Sequence, residues 1–477
     1  MLIIGVTGGV GCGKTTLLGN LAQWHRERGK RVDGFLALAE GPRPAGKGAA
    51  GYRLQMLADG RTLSFARRDE SLAPPYQFDP STRRLLKDWA NALPSSAPAA
   101  LLVLDEFGPI EAEGGGHVAL WPALHASGPG VVAVGLREGL QDAIEDRLGE
   151  KFDVIIRADV PDAIRRATDV CAAHEDWVRV GVYGAGAGGF EASVGAALHG
   201  AQVPLRGLFL SSIQSAIMTY AADGLGRRGR IVWVPFVSAS LKALSPSGNR
   251  LRPMLAIVVQ GLLYGGAVTV AGWNPLGVLL GGFLIGAWSA LQGIALQYLF
   301  VGGDLVRAYD SIMQWISGRL NMSVPGLVTL FAAWSVFCGS VAATVTLFAW
   351  SRRRRMPLKL RRLLEEGSQR APEFGGSHGW QGAVYRGLRD MLRPYFWVPV
   401  LVVVAVVLAT GSTWESALWI VIRAGVIGFV LFSLARGFDP RRFIAWLRGK
   451  GHWGPALALQ QALKARGKKI NYPRLPQ

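Results

Sequence analysis

Cysteine is scarce in this chain. Its 477 residues include three, Cys12, Cys171 and Cys338, which lie far apart with no ligand-like spacing. That pattern supports neither a disulfide framework nor a zinc site, and it fits a reduced cytoplasmic setting for any soluble part. The second part of the chain has few acidic residues: residues 201–477 hold 9 Asp/Glu against 31 Lys/Arg, whereas residues 1–200 hold 24 against 21. The formal charge of +19 is therefore carried wholly by the second part. Its basic runs border long apolar stretches and lack interleaved aromatics arranged for base stacking, so nucleic acid is not an expected partner. Arginines between apolar spans point instead to cytoplasmic loops facing anionic lipid. No basic n-region precedes the first apolar run, so no secretory signal is expected there and the first part should stay in the cytoplasm.

Gly8-Gly9-Val10-Gly11-Cys12-Gly13-Lys14-Thr15 is a full G-x-x-x-x-G-K-T phosphate-binding loop. Leu2 to Val6 before it reads as a buried parallel strand. Thr15 to Arg28 after it carries Leu17, Leu18, Leu21 and Trp24 at helical spacing. In such a strand–loop–helix setting, backbone N–H groups and the positive helix end face a phosphate. The motif chemistry expects the Gly11–Lys14 amides to cradle the β-phosphate, with Gly8, Gly9, Val10, Cys12 and Thr16 completing the nucleotide contacts. Lys14 neutralises the β/γ oxygens, and Thr15 offers its hydroxyl to Mg²⁺. Cys12 reads as a passive loop residue.

Further strands are expected at Arg31 to Leu38, Ala100 to Leu104, Val131 to Gly135 and Val154 to Ile156, with helical stretches between several of them. That alternation signals a mostly parallel sheet covered by helices. A Gly/Pro/Ala loop, Gly41 to Ala50, leads into two short alternating runs around Asp59-Gly60, which read as an inserted hairpin.

The strand Leu101-Leu102-Val103-Leu104 ends in two carboxylates. Asp105 would hold Mg²⁺ through water, and Glu106 would polarise the attacking water. With the residues that follow, Asp105-Glu106-Phe107-Gly108-Pro109-Ile110-Glu111 forms a D-E-x-G-P-x-E run. Together with the early phosphate loop and a strand ending in Gly34-Phe35, it resembles the small P-loop nucleoside triphosphatases first known from thermophiles. The resemblance covers roughly residues 1–160 and implies a compact, Rossmann-like enzyme that slowly hydrolyses ATP or GTP. By the same resemblance Glu111 helps build the nucleotide pocket; read from its position alone, it caps a helix. Arg137, just beyond a strand, reads either as a γ-phosphate sensor or as a solvated side chain.

From about residue 204 the texture is that of a membrane domain. Candidate spans of the length a bilayer requires are Pro204 to Ala222, Pro253 to Gly272, Pro275 to Val301, Val324 to Trp350, Phe396 to Ala409 and Ala417 to Leu434, with Ile231 to Leu244 as a shorter element. Leu305 to Leu320 reads as an interfacial helix. Arg352 to Arg355 and Arg436 to Arg448 should face the cytoplasm by the positive-inside rule. Six spans with both termini inside would put Arg227, Arg228, Arg230, Arg250 and Arg252 outside, against that rule. Counting Ile231 to Leu244 as a span separates the two arginine groups and requires a further crossing, by Ser193 to Val203. Gln214, Gln260 and Gln292 interrupt apolar helices, either to bond neighbouring helices or to line a polar solute pocket. Arg423 falls mid-span, where it snorkels or pairs with Glu415. Gly261/Gly265, Gly277/Gly281 and Gly282/Gly286 give close-packing faces. The Gly-rich, Pro-interrupted helices of about residues 190–350 resemble the substrate-binding membrane subunits of energy-coupling factor vitamin transporters. No L-S-G-G-Q-type signature of a standard ABC motor accompanies them.

The expected fold is therefore an α/β P-loop NTPase domain over 1–175, followed by an all-α polytopic membrane domain. Between and after them lie a connector at 176–203, a multi-span region at 204–350, a basic cytoplasmic segment at 351–394, a hairpin at 395–435 and a basic tail at 436–477. The expected protein is a multi-pass inner-membrane NTPase with its triphosphatase and C-terminus in the cytoplasm, contacting lipid, a small-molecule ligand and partner membrane subunits. It would use nucleoside triphosphate to power or gate the membrane part, or else serve as a membrane-anchored triphosphatase in regulation or assembly.

Overall fold

The computed structural model describes residues 1–41, 49–72, 76–195, 198, 205–243, 251–320, 326–354, 356–358, 360, 380–392, 394–409 and 413–464. Most of the loop Gly41 to Ala50, Arg250, Arg355, most of the basic segment up to residue 394 and the end of the tail lie outside the described residues. The chain divides into two compact units, Met1–Glu175 and Asp176–Gln477.

In the first unit, eight strands among the described residues form one sheet: β1 (Leu2–Thr7), β2 (Val32–Glu40), β3 (Gly51–Met56), β4 (Thr62–Arg68), β5 (Tyr76–Phe78), β6 (Leu101–Phe107), β7 (Val131–Leu136) and β8 (Val154–Arg157), in the order β5-β4-β3-β2-β6-β7-β1-β8. The five expected strands are β2, β6, β7, β1 and β8, all paired in parallel. Their continuous apolar runs are what a sheet covered on both faces requires. The inserted hairpin is β3–β4, which extends the sheet in antiparallel fashion from β2. The sequence does not reveal β5, because three residues are too few to show alternation; it pairs with β4. Phe35, Leu54, Leu102, Leu104, Phe107, Val134 and Leu136 form the core, each apolar side chain contributing about 1.5–3 kcal/mol by burial. Gly34 is needed where β2 meets β6: its φ is 103°, and an added Cβ would collide with the Val103 backbone.

Helices α1 (Lys14–Arg26), α2 (Pro80–Ala92), α3 (Pro109–Ala112), α4 (Trp121–Ala126) and α5 (Gln141–Leu148) fill the connections. Asp79 caps α2, accepting from the Ser81 amide at 2.8 Å, with proline in the first turn where its missing N–H costs nothing. The boundary between the units falls within α6 (Ala163–Phe190).

The second unit is helical: α7 (Arg206–Asp223), α8 (Trp233–Ala243), α9 (Leu251–Ala271), α10 (Pro275–Val301), α11 (Asp304–Leu320), α12 (Leu327–Ser351), α13 (Trp380–Met391), α14 (Pro394–Ala409), α15 (Trp414–Gly437), α16 (Pro440–Gly449) and α17 (Trp453–Lys464). Among the described residues, four stretches are long and apolar enough to cross a membrane: Pro253–Ala271, Pro275–Val301, Val328–Ser351 and Trp414–Leu434; Phe396–Ala409 is apolar but shorter. The helix α7, at an expected span, is not among the four. It carries Ser211, Ser212, Gln214, Ser215 and Thr219, and much of it is buried within the unit. The glycine pairs set the packing. An added Cβ would come within 2.6 Å of Pro235 at Gly261 and 2.8 Å of Tyr264 at Gly281, and at Gly286 it would collide with the Cys338 carbonyl. Such close backbone approach drives helix association in lipid. Hydroxyl pairs add to it, Thr346 with Ser215 and Thr219 with Tyr264, both at 2.7 Å.

Arg227, Arg228 and Arg230 gather at the same end of this bundle as Arg352 and Arg353. Arg353 pairs with Asp223 at 3.2 Å, Arg230 pairs with Asp176 at 2.6 Å, and Arg228 and Arg353 stack on Trp273 and Trp350, whose rings are 4.7 Å apart. The arginines of residues 227–230 therefore lie at the same end as those after α12, whereas Arg252, in the first turn of α9, lies at the opposite end. Arg423 lies against Gly302, just past the C-terminal end of α10, where exposed carbonyls favour a cation.

Candidate nucleotide site

The turn from β1 into α1 is made by glycines with positive φ: 146° at Gly8, 80° at Gly11 and 95° at Gly13, the residue that caps α1. No side chain caps the helix, so its leading N–H groups stay available to an anion. At Gly13 an added Cβ would meet nothing; glycine is needed there for its backbone angle. Lys14 folds back over the loop, its Nζ donating to the Gly8 and Gly9 carbonyls at 2.8 Å each. Cys12 Sγ packs over Gly8, 2.6 Å from where a Cβ would stand. Val10 is exposed, and Thr16 lies in the first turn of α1.

Asp105 comes from β6, next to β7 and one strand removed from β1. Its Oδ2 accepts from the Thr15 hydroxyl at 2.7 Å and from the Ala37 amide at 3.1 Å, while Oδ1 accepts from the Glu106 amide at 2.9 Å. The carboxyl is fully buried. Burial pushes its pKa up to about 6, against the opposing pull of the Thr15 hydrogen bond. A buried carboxylate beside a hydroxyl is an all-oxygen donor pair of the kind Mg²⁺ prefers. The residues present thus fit that ion.

Glu106 has φ 68°, the left-handed region that a non-glycine residue rarely adopts. The β6–β7 register shifts between Leu104 and Phe107, so the strand turns its two acids to different surroundings: Asp105 is buried and Glu106 exposed. Strain of this kind clusters at functional sites. Glu111 is buried and engaged by the backbone, accepting from the Gly108 amide at 2.8 Å and the His117 amide at 3.1 Å. Both amides belong to the segment leaving β6, and Glu111 caps α3. Burial raises its pKa. The Arg137 side chain is exposed, and its amide donates to the Phe107 carbonyl at 2.9 Å.

In the second unit, Gln214, Gln260 and Gln292 line one cavity of about 510 Å³. Gln260 Nε2 donates to Ser211 Oγ at 2.8 Å, and Gln214 Nε2 reaches the Ile257 carbonyl at 3.4 Å.

Residues 3–156 match the family model described as NTPase. The N-terminal unit is a nucleoside triphosphatase domain. A solved structure titled as a human cancer-related nucleoside triphosphatase is 21% identical; the match covers 35% of this chain and 94% of that one, with a TM-score of 0.25. No curated protein matches the chain.

Sequence reasoning missed several residues that shape this candidate site. Gly135 leaves room for Asp105: an added Cβ would collide with its Oδ1. The available signal was a glycine inside a buried strand. Glu138 stands 3.9 Å from a Cβ placed on Gly9. It holds Arg157 at 3.2 Å, and Arg157 also pairs with Asp159 at 2.7 Å. Nothing in the sequence joined Glu138 to Arg157, because they meet only when β8 is laid beside β1.

Proposed function

We propose that this protein is a membrane-embedded triphosphatase in which turnover of ATP or GTP in the N-terminal unit gates solute binding in the helical unit. The observation that carries this reading is one chain holding both a phosphate loop joined to a buried Asp105 and a cavity lined by three glutamines among apolar helices. Tethering gives the two parts a high effective concentration.

The chemistry follows from the residues. Backbone N–H groups of Gly11 to Lys14 hold the β-phosphate at the positive end of α1. Lys14 exchanges the Gly8 and Gly9 carbonyls for β/γ oxygens, which carry more charge. Thr15 and Asp105 would hold Mg²⁺, which when bound neutralises charge on the phosphates. Glu106, exposed beside the buried acid, orients the attacking water and draws on its proton. Glu111 acts on the site by fixing the segment after β6. The arginine-rich end of the bundle faces the cytoplasm.

The test measures phosphate release from ATP and GTP by the full chain in lipid vesicles with Mg²⁺, together with mass spectrometry of metabolites that co-purify. Hydrolysis that is lost in Lys14→Ala and Glu106→Gln, with a polar metabolite retained, supports the reading. Hydrolysis with no retained metabolite and no uptake leaves an anchored triphosphatase and overturns gating.

A further inference from the structure

Contacts fix the direction of each helix around the cavity. Contacts pair Asp223 with Arg353, Thr219 with Tyr264, Ser215 with Thr346, and Gln260 with Ser211. The helices α7, α9 and α12 therefore run in the same direction and end at the arginine-rich face. The helix α10 starts at that face, with Gly277 against Gly272, and runs away from it. The cavity uses the opposite halves of these helices: Arg206 to Gln214 of α7, Pro253 to Gln260 of α9 and Trp288 to Leu299 of α10. Its lining is remote from Arg227, Arg228, Arg230, Arg352 and Arg353 and extends from buried Ser211 and Gln260 to Leu299, which is exposed.

The lining also has a chemical bias. The indole Nε1 of Trp288 and the amide Oε1 of Gln292 are closed off from solvent without a hydrogen-bond partner among the described residues. They lie four residues apart on α10, hence on one helix face. Leaving a buried donor or acceptor unpaired is costly, so a donor and an acceptor left idle on one wall call for a molecule that supplies both complements. An amide does so with its carbonyl and N–H, after small side-chain rotations bring Trp288 and Gln292 onto it. The described ionisable residues of the lining are Glu191 and Arg206, one of each sign, so the cavity has no formal net charge. Apolar helices on either side make an ionic occupant costly. The volume lies within the range of small-molecule sites.

We infer that the cavity is loaded from the side opposite the arginine-rich face, and that it takes a net-neutral, planar amide-type molecule held between Trp288 and Gln292. This rests on the solute-binding reading above and adds the side of entry and the ligand class.

Two glycines allow the test, because an added Cβ meets nothing within 4 Å at either: Gly207 at the cavity and Gly229 at the arginine-rich end. Gly207→Cys and Gly229→Cys are made in the full chain with Cys12 replaced by serine. A membrane-impermeant maleimide is then applied to sealed vesicles of known orientation. The inference expects the two cysteines to be labelled from opposite sides, Gly229→Cys from the cytoplasmic one. Labelling of both from one side overturns the side of entry. Benzamide, benzoate and benzylammonium are then compared as protectants. The inference expects benzamide alone to slow labelling of Gly207→Cys several-fold, with the protection lost on adding Gln292→Leu or Trp288→Phe. Protection by either ion to the same degree, or benzamide protection that survives both substitutions, overturns the ligand class. Protection by none of the three overturns the solute-binding reading itself.

Discussion

Thr15 Oγ1 lies 2.7 Å from Asp105 Oδ2, a bond that joins residues 90 positions apart and ties the first turn of α1 to the end of β6. It sets the spacing between the phosphate loop and the acidic strand before nucleotide arrives. Removing its acidic partner should act on chemistry more than on folding. Asp105→Asn keeps shape and hydrogen-bonding capacity while losing the charge. Phosphate release is expected to fall by about two to three orders of magnitude, on the scale seen when a preorganised electrostatic group is removed. Nucleotide binding, followed with a fluorescent analogue at low Mg²⁺, should change far less.

Glu106 carries the backbone cost of its carboxylate's position. With φ at 68°, a non-glycine residue there costs about 1–2 kcal/mol. Glu106→Gly should therefore raise the unfolding midpoint of the triphosphatase unit in a urea titration of the full protein, while nearly abolishing hydrolysis. A loss of both stability and activity would show that the angle is not strained.

Acid should destabilise the first unit through its buried histidines. Burial, assisted by Lys30 and Arg28, lowers the pKa of His25 from 6.5 to about 4, and burial lowers His117 to about 4. Between 6.5 and 4 the unfolded chain binds protons that the folded one refuses, so stability falls as pH drops through that window. Each such histidine contributes a slope of up to about 1.4 kcal/mol per pH unit. Asp105, raised to about 6, works in the opposite sense and offsets part of the loss. His25 has both ring nitrogens unpartnered among the described residues. His25→Leu should flatten the pH dependence of the unfolding midpoint between pH 7 and 5, whereas an unchanged slope would remove His25 from the account.

Close glycine packing should govern the second unit. At Gly286 a side chain would collide with the Cys338 carbonyl, so Gly286→Val forces α10 and α12 apart. Overpacking typically costs about 1–3 kcal/mol, which should lower the melting temperature of the detergent-solubilised protein. At Gly293 an added Cβ meets nothing, and Gly293→Ala should leave melting unchanged.

The five parallel strands and the phosphate loop were legible because their signals are local: uninterrupted apolar runs, glycines at fixed offsets and an acidic pair at a strand end. What was not legible depended on contacts across the sheet. Gly135 matters only because β7 lies beside β6, and the Glu138–Arg157 pair exists only because β8 joins β1. Glu111 was open to two readings from its spacing, and its backbone partners Gly108 and His117 are visible only in the folded segment. In the second unit the arginine groups could not be oriented by counting spans. The pairing of Asp223 with Arg353 comes from helix packing, and hydropathy carries no trace of it. The three glutamines were singled out as polar interruptions, and helix polarity brings them around one cavity.

Coupling between the triphosphatase and the cavity is tested most directly by the maleimide labelling rate of Gly207→Cys in vesicles, with Cys12 replaced by serine, measured with and without ATP or GTP and Mg²⁺, in protein that keeps Lys14 and with Lys14→Ala. Gating predicts that nucleotide changes the rate several-fold and that Lys14→Ala abolishes the change. A rate indifferent to nucleotide, in protein that hydrolyses it, would contradict gating.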